Sequence, residues 1–196
     1  MKKFLLSLAL VALASPAFAA AISVDDWAAL GATGIVAGDK TFVYHGSTYL
    51  LGTAATVEAA DLGIVHQLNL ANLGTVQSGF ALDFQVSVNG TAFKISQTFV
   101  SQNHAAGSPT SSTVSASGAT SYTDNLTATQ PGAHNAWSMV DAVDFQTTGT
   151  TSATDILTNV TYTITQTAVP PVPEPSTFAL AGLAVAGLVF ARRRAR

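Results

Sequence analysis

Residues 80–99 read Phe80-Ala-Leu-Asp-Phe-Gln-Val-Ser-Val88, then Asn89-Gly90, then Thr91-Ala-Phe-Lys-Ile-Ser-Gln-Thr-Phe99. Phe80, Leu82, Phe84, Val86 and Val88 alternate with Ala81, Asp83, Gln85 and Ser87. A period of two gives a strand one apolar and one polar face. Asn-Gly is the favoured two-residue hairpin loop, because both central positions of that turn need positive φ. The stretch therefore predicts a hairpin of fixed register, with Val88 opposite Thr91, Val86 opposite Phe93, Phe84 opposite Ile95, Leu82 opposite Gln97 and Phe80 opposite Phe99. Asp83, Gln85, Ser87, Lys94 and Ser96 fall on the other face, Asp83 diagonal to Lys94.

The same period extends outward from this stretch. Thr41–Tyr44 and Thr48–Leu51 flank Gly46 and suggest a first hairpin. Leu62, Ile64, His66, Leu68 and Leu70 alternate with Gly63, Val65, Gln67 and Asn69, as in a half-buried strand. Residues 101–121, rich in Ser, Gly, Thr and Ala, read as a long loop or a weak edge strand. Tyr122–Thr129 is a further candidate strand, and Pro131-Gly132 a turn. Trp137, Met139, Val143 and Phe145 line one face of the next strand, interrupted by Asp141. Across Asp155–Thr167, Ile156, Val160, Tyr162 and Ile164 lie on one side, and Thr161, Thr163, Thr165 and Thr167 on the other. One short helix is expected near the start: Ser23 caps it, Asp25 and Asp26 complement its dipole, Trp27 to Leu30 follow, and Gly31 and Gly34 end it. Short strands with polar outer faces predict an all-β domain over residues 20–167, an antiparallel, jelly-roll-like β-sandwich, with a closed barrel as the alternative. Asp, Gln, Ser and Thr on the outer faces argue against a transmembrane barrel.

The two ends have another character. Met1-Lys2-Lys3 precedes the apolar run Phe4 to Ala14, Ser15-Pro16 follows, and Ala17-Phe18-Ala19 has small residues at both outer positions. That is the order of a secretory signal peptide, residues 1–19, with signal peptidase cutting between Ala19 and Ala20. With both ends set aside, residues 20–169 hold two lysines, Lys40 and Lys94, against ten acids, a formal net charge of −8. Nucleic-acid binding draws its affinity from lysine and arginine, so this class is excluded. The chain has no cysteine, which excludes disulfides, thiolate metal sites and cysteine nucleophiles.

At the other end, Ala168-Val169-Pro170-Pro171 opens a proline-rich linker, residues 168–177, that contains Val172-Pro173-Glu174-Pro175-Ser176-Thr177. An apolar segment, residues 178–191, follows, and then Arg192-Arg193-Arg194-Ala195-Arg196. As a helix, the 14 apolar residues reach about 21 Å, short of the ~30 Å hydrocarbon core. Flanking Ser176, Thr177 and snorkelling arginines extend it to a marginal membrane helix, with Arg192, Arg193, Arg194 and Arg196 as its cytoplasmic anchor. This three-part tail resembles the PEP-CTERM sorting signal of Gram-negative bacteria, with Phe178 where that family commonly has tryptophan. The resemblance implies processing by exosortase, transient anchoring in the inner membrane, export to the cell surface or matrix, and association with exopolysaccharide or biofilm. Such tails have also been described as ice-binding-protein C-terminal domains. Leu30 to Phe42, with its Gly38-Asp39-Lys40 turn, is similar to a segment early in many PEP-CTERM proteins, which implies a shared secreted β-domain and no activity.

Motifs of catalysis do not emerge. There is no Gly-x-Ser-x-Gly elbow, phosphate loop or His-Glu-x-x-His helix, so no catalytic residue, metal site or cofactor is assigned. His45, His66, His104 and His134 are far apart in sequence, and His66 reads as a core or rim histidine. Asn89-Gly-Thr91, Asn125-Leu-Thr127 and Asn159-Val-Thr161 match a glycosylation triplet by chance in so Asn- and Thr-rich a chain. The one regular polar array is Thr161-x-Thr163-x-Thr165-x-Thr167, with same-face neighbours about 6.8 Å apart. Three classes follow: a non-enzymatic envelope or matrix protein in contact with extracellular polysaccharide, a carbohydrate- or ice-binding module using the threonine row, and a secreted hydrolase with a dispersed site. N-terminal sequencing of exported protein should begin at Ala20; a mature protein that keeps Lys2 and Lys3 would refute the signal peptide.

Overall fold

The computed structural model describes residues 17–73, 79–105, 111–127, 132–149 and 157–170, with 180, 182–185 and 192–194 of the tail. In chain order the strands among them are β1 Ala17–Phe18, β2 Ile22–Ser23, β3 Ile35–Ala37, β4 Lys40–Thr48, β5 Thr56–Asp61, β6 Val65–Ala71, β7 Phe80–Val88, β8 Phe93–His104, β9 Ser111–Ser117, β10 Ser121–Thr127, β11 Gly132–Val140, β12 Ala142–Gly149 and β13 Leu157–Ala168. They form two antiparallel sheets. Sheet A has the order β1-β5-β6-β13-β8-β11, with β2 also on β5; sheet B has the order β10-β9-β12-β7-β4-β3. This is the expected sandwich.

The expected helix is α1, Val24–Ala29. The Ser23 side chain accepts the Asp26 amide at 3.0 Å, and Trp27 is fully buried with its indole N–H on the Phe42 carbonyl at 3.0 Å. The helix thus closes one side of the core. Phe84 of β7 lies 5.7 Å from Trp27, 5.1 Å from Phe145 of β12 and 4.8 Å from Tyr162 of β13, measured between ring centroids. The latter contact crosses from sheet B to sheet A, so aromatic packing joins the layers.

The predicted 89–90 hairpin is corrected. β7 pairs with β4 and β12 in sheet B, while β8 pairs with β11 and β13 in sheet A. The link Asn89–Ala92 is an arch between the sheets. Asn89 is not at positive φ, though Gly90 is, at 113°, so the turn geometry that Asn-Gly favours does not form. Asn89 instead donates its backbone N–H to the Asp39 carbonyl at 2.6 Å. Strands that face each other across a core carry the same alternation as strands that lie side by side, which is why the pattern did not separate the two. The β7 facing holds: Phe80, Leu82, Phe84 and Val86 are buried. In β8, Ile95 is inward, but a register shift between Ile95 and Gln97 against β13 turns Thr98 and Val100 inward and Phe99 outward. Lys94 pairs with Asp141, not Asp83.

Other readings also shift. Gly46 is a bulge inside β4, where the register against β7 slips between Tyr44 and Gly46, and not a turn. In the Leu62–Leu70 stretch, His66, Leu68 and Leu70 are buried in β6, while Leu62 and Ile64 are exposed in the turn from β5. The Ser-rich segment contains β9, an interior strand between β10 and β12, with Ser112, Val114 and Ala116 inward. Trp137 to Phe145 is two strands in different sheets, split at Asp141; Met139 is exposed rather than inward. Ile156 lies outside the described residues, and Leu157 takes the inward position. Val160, Tyr162 and Ile164 are inward as expected, and the threonines of β13 face outward.

The Phe84→Ala variant should lose about 3–5 kcal/mol of unfolding free energy in urea titrations, because its ring touches three aromatic neighbours. Ser87→Asp, on the outer face of the same strand, should change stability by no more than about 0.5 kcal/mol.

Candidate functional site

The densest group of ionisable side chains sits where the two sheets meet at one end of the sandwich. Gly38-Asp39 turns β3 into β4 and delivers Lys40, which is fully buried. Its ammonium donates to Asp39 Oδ1 at 2.6 Å and to the Gln166 side-chain oxygen on β13 of the opposite sheet. Gln166 Nε2 in turn donates to the Gly63 carbonyl at 3.2 Å. His66 of β6 is buried between two carboxylates, its Nε2 3.1 Å from Asp39 Oδ1 and its Nδ1 3.5 Å from Asp61 Oδ1, yet neither contact has hydrogen-bond geometry. Gly38 is at φ 59°, and a Cβ there would stand 2.3 Å from Asp61 Oδ2. Only glycine lets the Asp61 carboxylate approach the turn.

Burial lowers the Lys40 pKa below the usual lysine value, and the neighbouring Asp39 and Asp61 carboxylates act against that. Burial, then the Lys40 charge, lowers His66 below the usual histidine value, again against the two carboxylates. The arrangement is a lysine that neutralises carboxylates from both sheets beside a neutral imidazole. The ammonium occupies the place a bound cation would need, and among the described residues no group of three His, Cys, Asp or Glu is placed to hold a metal ion. Asp39, Asp61, His66 and Gln166 also form the floor of a cavity of about 500 Å³ whose wall is the Asn89–Phe93 arch.

A second hollow, of about 380 Å³, lies on the outer face of sheet B. His45, Asp83, Ser115, Asp144 and Gln146 line it. Gln85 donates to Asp144 at 2.8 Å, and Asp83 Oδ1 is buried without a partner. Phe84 and Phe145 are buried in the core below it, while Tyr122 of β10 is half-buried and His45 of β4 exposed.

The four histidines do not converge: His66 is in the charged cluster, His45 lies on sheet B, His104 ends β8, and His134 stacks on Phe99 of sheet A at 4.1 Å. Of the processing residues, Ala17 pairs with Asp61 as part of β1, the Ala19 amide donates to the Ala59 carbonyl at 2.8 Å, and Ala20 is exposed. Val172, Pro173, Glu174, Pro175, Ser176, Thr177 and Arg196 lie outside the described residues; Arg192, Arg193 and Arg194 are helical and exposed. No helix among the described residues is long and apolar enough to cross a membrane. Sequence reading missed the Lys40 cluster. Its signal was a lysine within an otherwise apolar and hydroxylic strand, directly after Gly38-Asp39.

The comparisons with known proteins bear on the tail. Residues 171–194 match the PEP-CTERM protein-sorting motif. A chain with this motif is an exported protein and a substrate for exosortase processing. No curated protein matches the chain. Among solved structures, the chain is similar to TmCBM61 in complex with β-1,4-galactotriose, at 9% identity over 62% of this chain and 90% of that chain, TM-score 0.29. It is similar to the mannan-recognising carbohydrate-binding module TmCBM27, at 8% identity over 80% of this chain and 100% of that chain, TM-score 0.35. A family 29 carbohydrate-binding module is similar at 9% identity over 72% of this chain and 94% of that chain, TM-score 0.29. Superpositions this loose establish neither a shared site nor a shared ligand.

Lys40→Met should destabilise the protein by about 1–3 kcal/mol, because it leaves the buried Gln166 oxygen without its donor and two half-buried carboxylates without their counter-charge. With its folded pKa below the ordinary value of about 6.5, His66 binds a proton more readily in the unfolded chain. Its contribution is therefore fully present above pH 6.5 and is lost as pH falls from there towards its folded pKa. Urea midpoints at pH 7.5 and 5.5 should differ in the wild type, and His66→Gln should reduce that difference.

Proposed function

From a chain whose residues 171–194 carry a PEP-CTERM sorting motif, we propose a non-enzymatic envelope or matrix protein. Its β-sandwich is carried to the cell surface or matrix and works there, among exopolysaccharide, by presenting its outer faces. The motif match is the observation that carries this reading. Signal peptidase removes residues 1–19. Residues 178–191 then hold the chain in the inner membrane with Arg192, Arg193, Arg194 and Arg196 on the cytoplasmic side. Exposed Leu180, Leu183 and Val185 support a lipid-facing role for that segment. Pro170, Pro171, Pro173 and Pro175 cannot donate to a sheet ladder, so a sheet strand does not continue through the linker. Glu174, between Pro173 and Pro175, is the carboxylate this reading assigns to recognition by exosortase.

A carbohydrate-binding role is the second reading, favoured by the polar outer faces of both sheets. The ice-binding variant is disfavoured by register. Thr161, Thr163 and Thr165 are flanked by Asn69, Gln67 and Val65 on one side and by Ser101, Phe99 and Gln97 on the other, so the threonine row has no threonine row beside it. A hydrolase reading is disfavoured by the geometry of the Lys40 cluster, where the buried ammonium already engages the carboxylate beside His66.

Fusing residues 172–196 to an unrelated exported reporter should give membrane retention, then release in a host that has exosortase. Replacement of Pro173, Glu174 and Pro175 by alanine should abolish the release and leave the retention. Unchanged release in the triple variant would overturn the sorting role.

A further inference from the structure

The outer face of sheet A carries two side-chain rows that cross five strands. One runs Glu58 (β5), Asn69 (β6), Thr161 (β13), Ser101 (β8), Gly132 (β11). The other runs Ala60, Gln67, Thr163, Phe99, His134 over the same strands. At about 4.8 Å between strands, each row is about 19 Å long.

Two features distinguish this face. At the β11 end, the Phe99 ring and the exposed His134 imidazole stack at a centroid distance of 4.1 Å and an interplanar angle of 26°. Phe99 leans over Gly132, where a Cβ would stand 2.6 Å from the ring, so the glycine makes room for the ring to cover the strand. At the β5 end, Glu58, Gln67, Asn69, Asn159 and Thr161 line a hollow of about 260 Å³. Asn69 Oδ1 accepts from Asn159 Nδ2 at 3.2 Å and from Thr161 Oγ1 at 3.0 Å. Gln67 Nε2 donates towards Thr163 Oγ1 at 3.4 Å. Asn159, which lines the hollow, has its Oδ1 buried without a protein partner.

We propose that this face binds a neutral, pyranose-based polysaccharide laid across the strands. The inference rests on the reading that the protein works among polysaccharide. An aromatic face is electron-rich and attracts the weakly positive C–H face of a sugar ring. Amides and hydroxyls fixed by their neighbours offer donors and acceptors to ring hydroxyls without losing much side-chain freedom on binding. An extended chain of about 19 Å takes in several sugar units, one end stacked on Phe99 and His134 and the other in the hollow. Charge selects the class: Glu58 is the one carboxylate on the two rows, no lysine or arginine lies on them, and residues 20–169 are strongly acidic, so an anionic polymer is repelled. On sheet B the corresponding hollow carries two carboxylates, Asp83 and Asp144, beside the exposed His45 and the half-buried Tyr122, and so is the more anionic of the two.

The test is electrophoresis of the exported protein in native gels containing hydroxyethyl-cellulose, galactomannan or the anionic polymer alginate. At least one neutral polymer should retard the wild type, and alginate should not. Phe99→Ala and Asn69→Ala should weaken retardation at least tenfold. His134→Ala, an exposed position that leaves the core untouched, should weaken it as well, and thermal melting checks that each variant is folded. Gln146→Ala, in the sheet B hollow, should bind as the wild type does. Retardation that survives in folded His134→Ala and Asn69→Ala but falls in Gln146→Ala would overturn the face while keeping the polysaccharide role. Retardation by alginate alone would overturn the neutral class. No retardation by any polymer would overturn both this inference and the polysaccharide setting it rests on, while the sorting role would stand or fall by the reporter fusion.

Discussion

Strand β7 has no free edge. β4 occupies one side over Lys40–Thr48, and β12 the other over Ala142–Gly149. A strand paired on both sides can be followed by a neighbour in sequence only if the chain leaves the sheet. The Asn89–Ala92 arch is that exit, and β8 enters sheet A directly across the core. The apolar face of β7 is then covered by the opposite sheet, with Phe84 against Tyr162. The interior polar groups follow from the same layering. Tyr162 donates its hydroxyl to Thr147 at 2.6 Å, Ser112 donates to Gln102 at 2.5 Å, and Lys40 donates to Gln166. Each bond links a residue of one sheet to a residue of the other, and each satisfies a group that burial would otherwise penalise. Burial raises the Tyr162 pKa well above the usual tyrosine value, against the pull of its bond to Thr147, so the phenol stays a donor across the physiological range.

What the sequence made legible was facing. Phe80, Leu82, Phe84 and Val86 point inward because alternation depends only on the pleat, which is a local property. Partner choice is not local. Asn89-Gly90 favours a tight hairpin in isolation, but the edges of β7 are claimed by Thr41–Tyr44 and by Val143–Phe145, which lie some fifty residues away on either side. The same limit hid β9. Ser112, Val114 and Ala116 alternate inward with small side chains, and Ser and Ala carry little strand signal of their own, so an interior strand resembled a loop. Small residues suit that position for a packing reason: Tyr122 and Trp137 stand 5.1 Å apart nearby, and the Trp137 ring lies 3.1 Å from where a Cβ on Gly118 would be.

The charged cluster was invisible for a related reason. Asp39, Asp61, His66 and Gln166 are separated by up to 127 positions and belong to a turn of sheet B and three strands of sheet A. Sequence placed His66 on an apolar face, and that was right; what it could not supply was the lysine from the other sheet. The helix was readable because a capping serine and two acids in the first turn act within four residues. The tail was readable because its parts lie in sequence order and need no tertiary contact.

The cluster sits at the end of β13 from which the chain runs on towards the linker. Gln166, which receives the Lys40 ammonium, lies two residues before Ala168, the end of β13, and the next amide, Val169, donates to the Ala92 carbonyl of the arch at 2.9 Å. Ala17 pairs with Asp61, which faces His66. The expected signal-peptidase cut and the departure of the linker therefore fall at the same end of the sandwich, the end that Lys40 holds together. An attachment at that end pulls on β13, which pairs with β8 up to Ala168 and with β6 over Asn159–Thr165, so the load enters an interior strand of sheet A. The rows from Glu58 to Gly132 and from Ala60 to His134 run across the strands, perpendicular to the direction in which β13 leads to the linker. A polymer lying along them would cross β13 at Thr161 and Thr163, several residues before the strand ends at Ala168, so the proposed binding face needs no part of the linker.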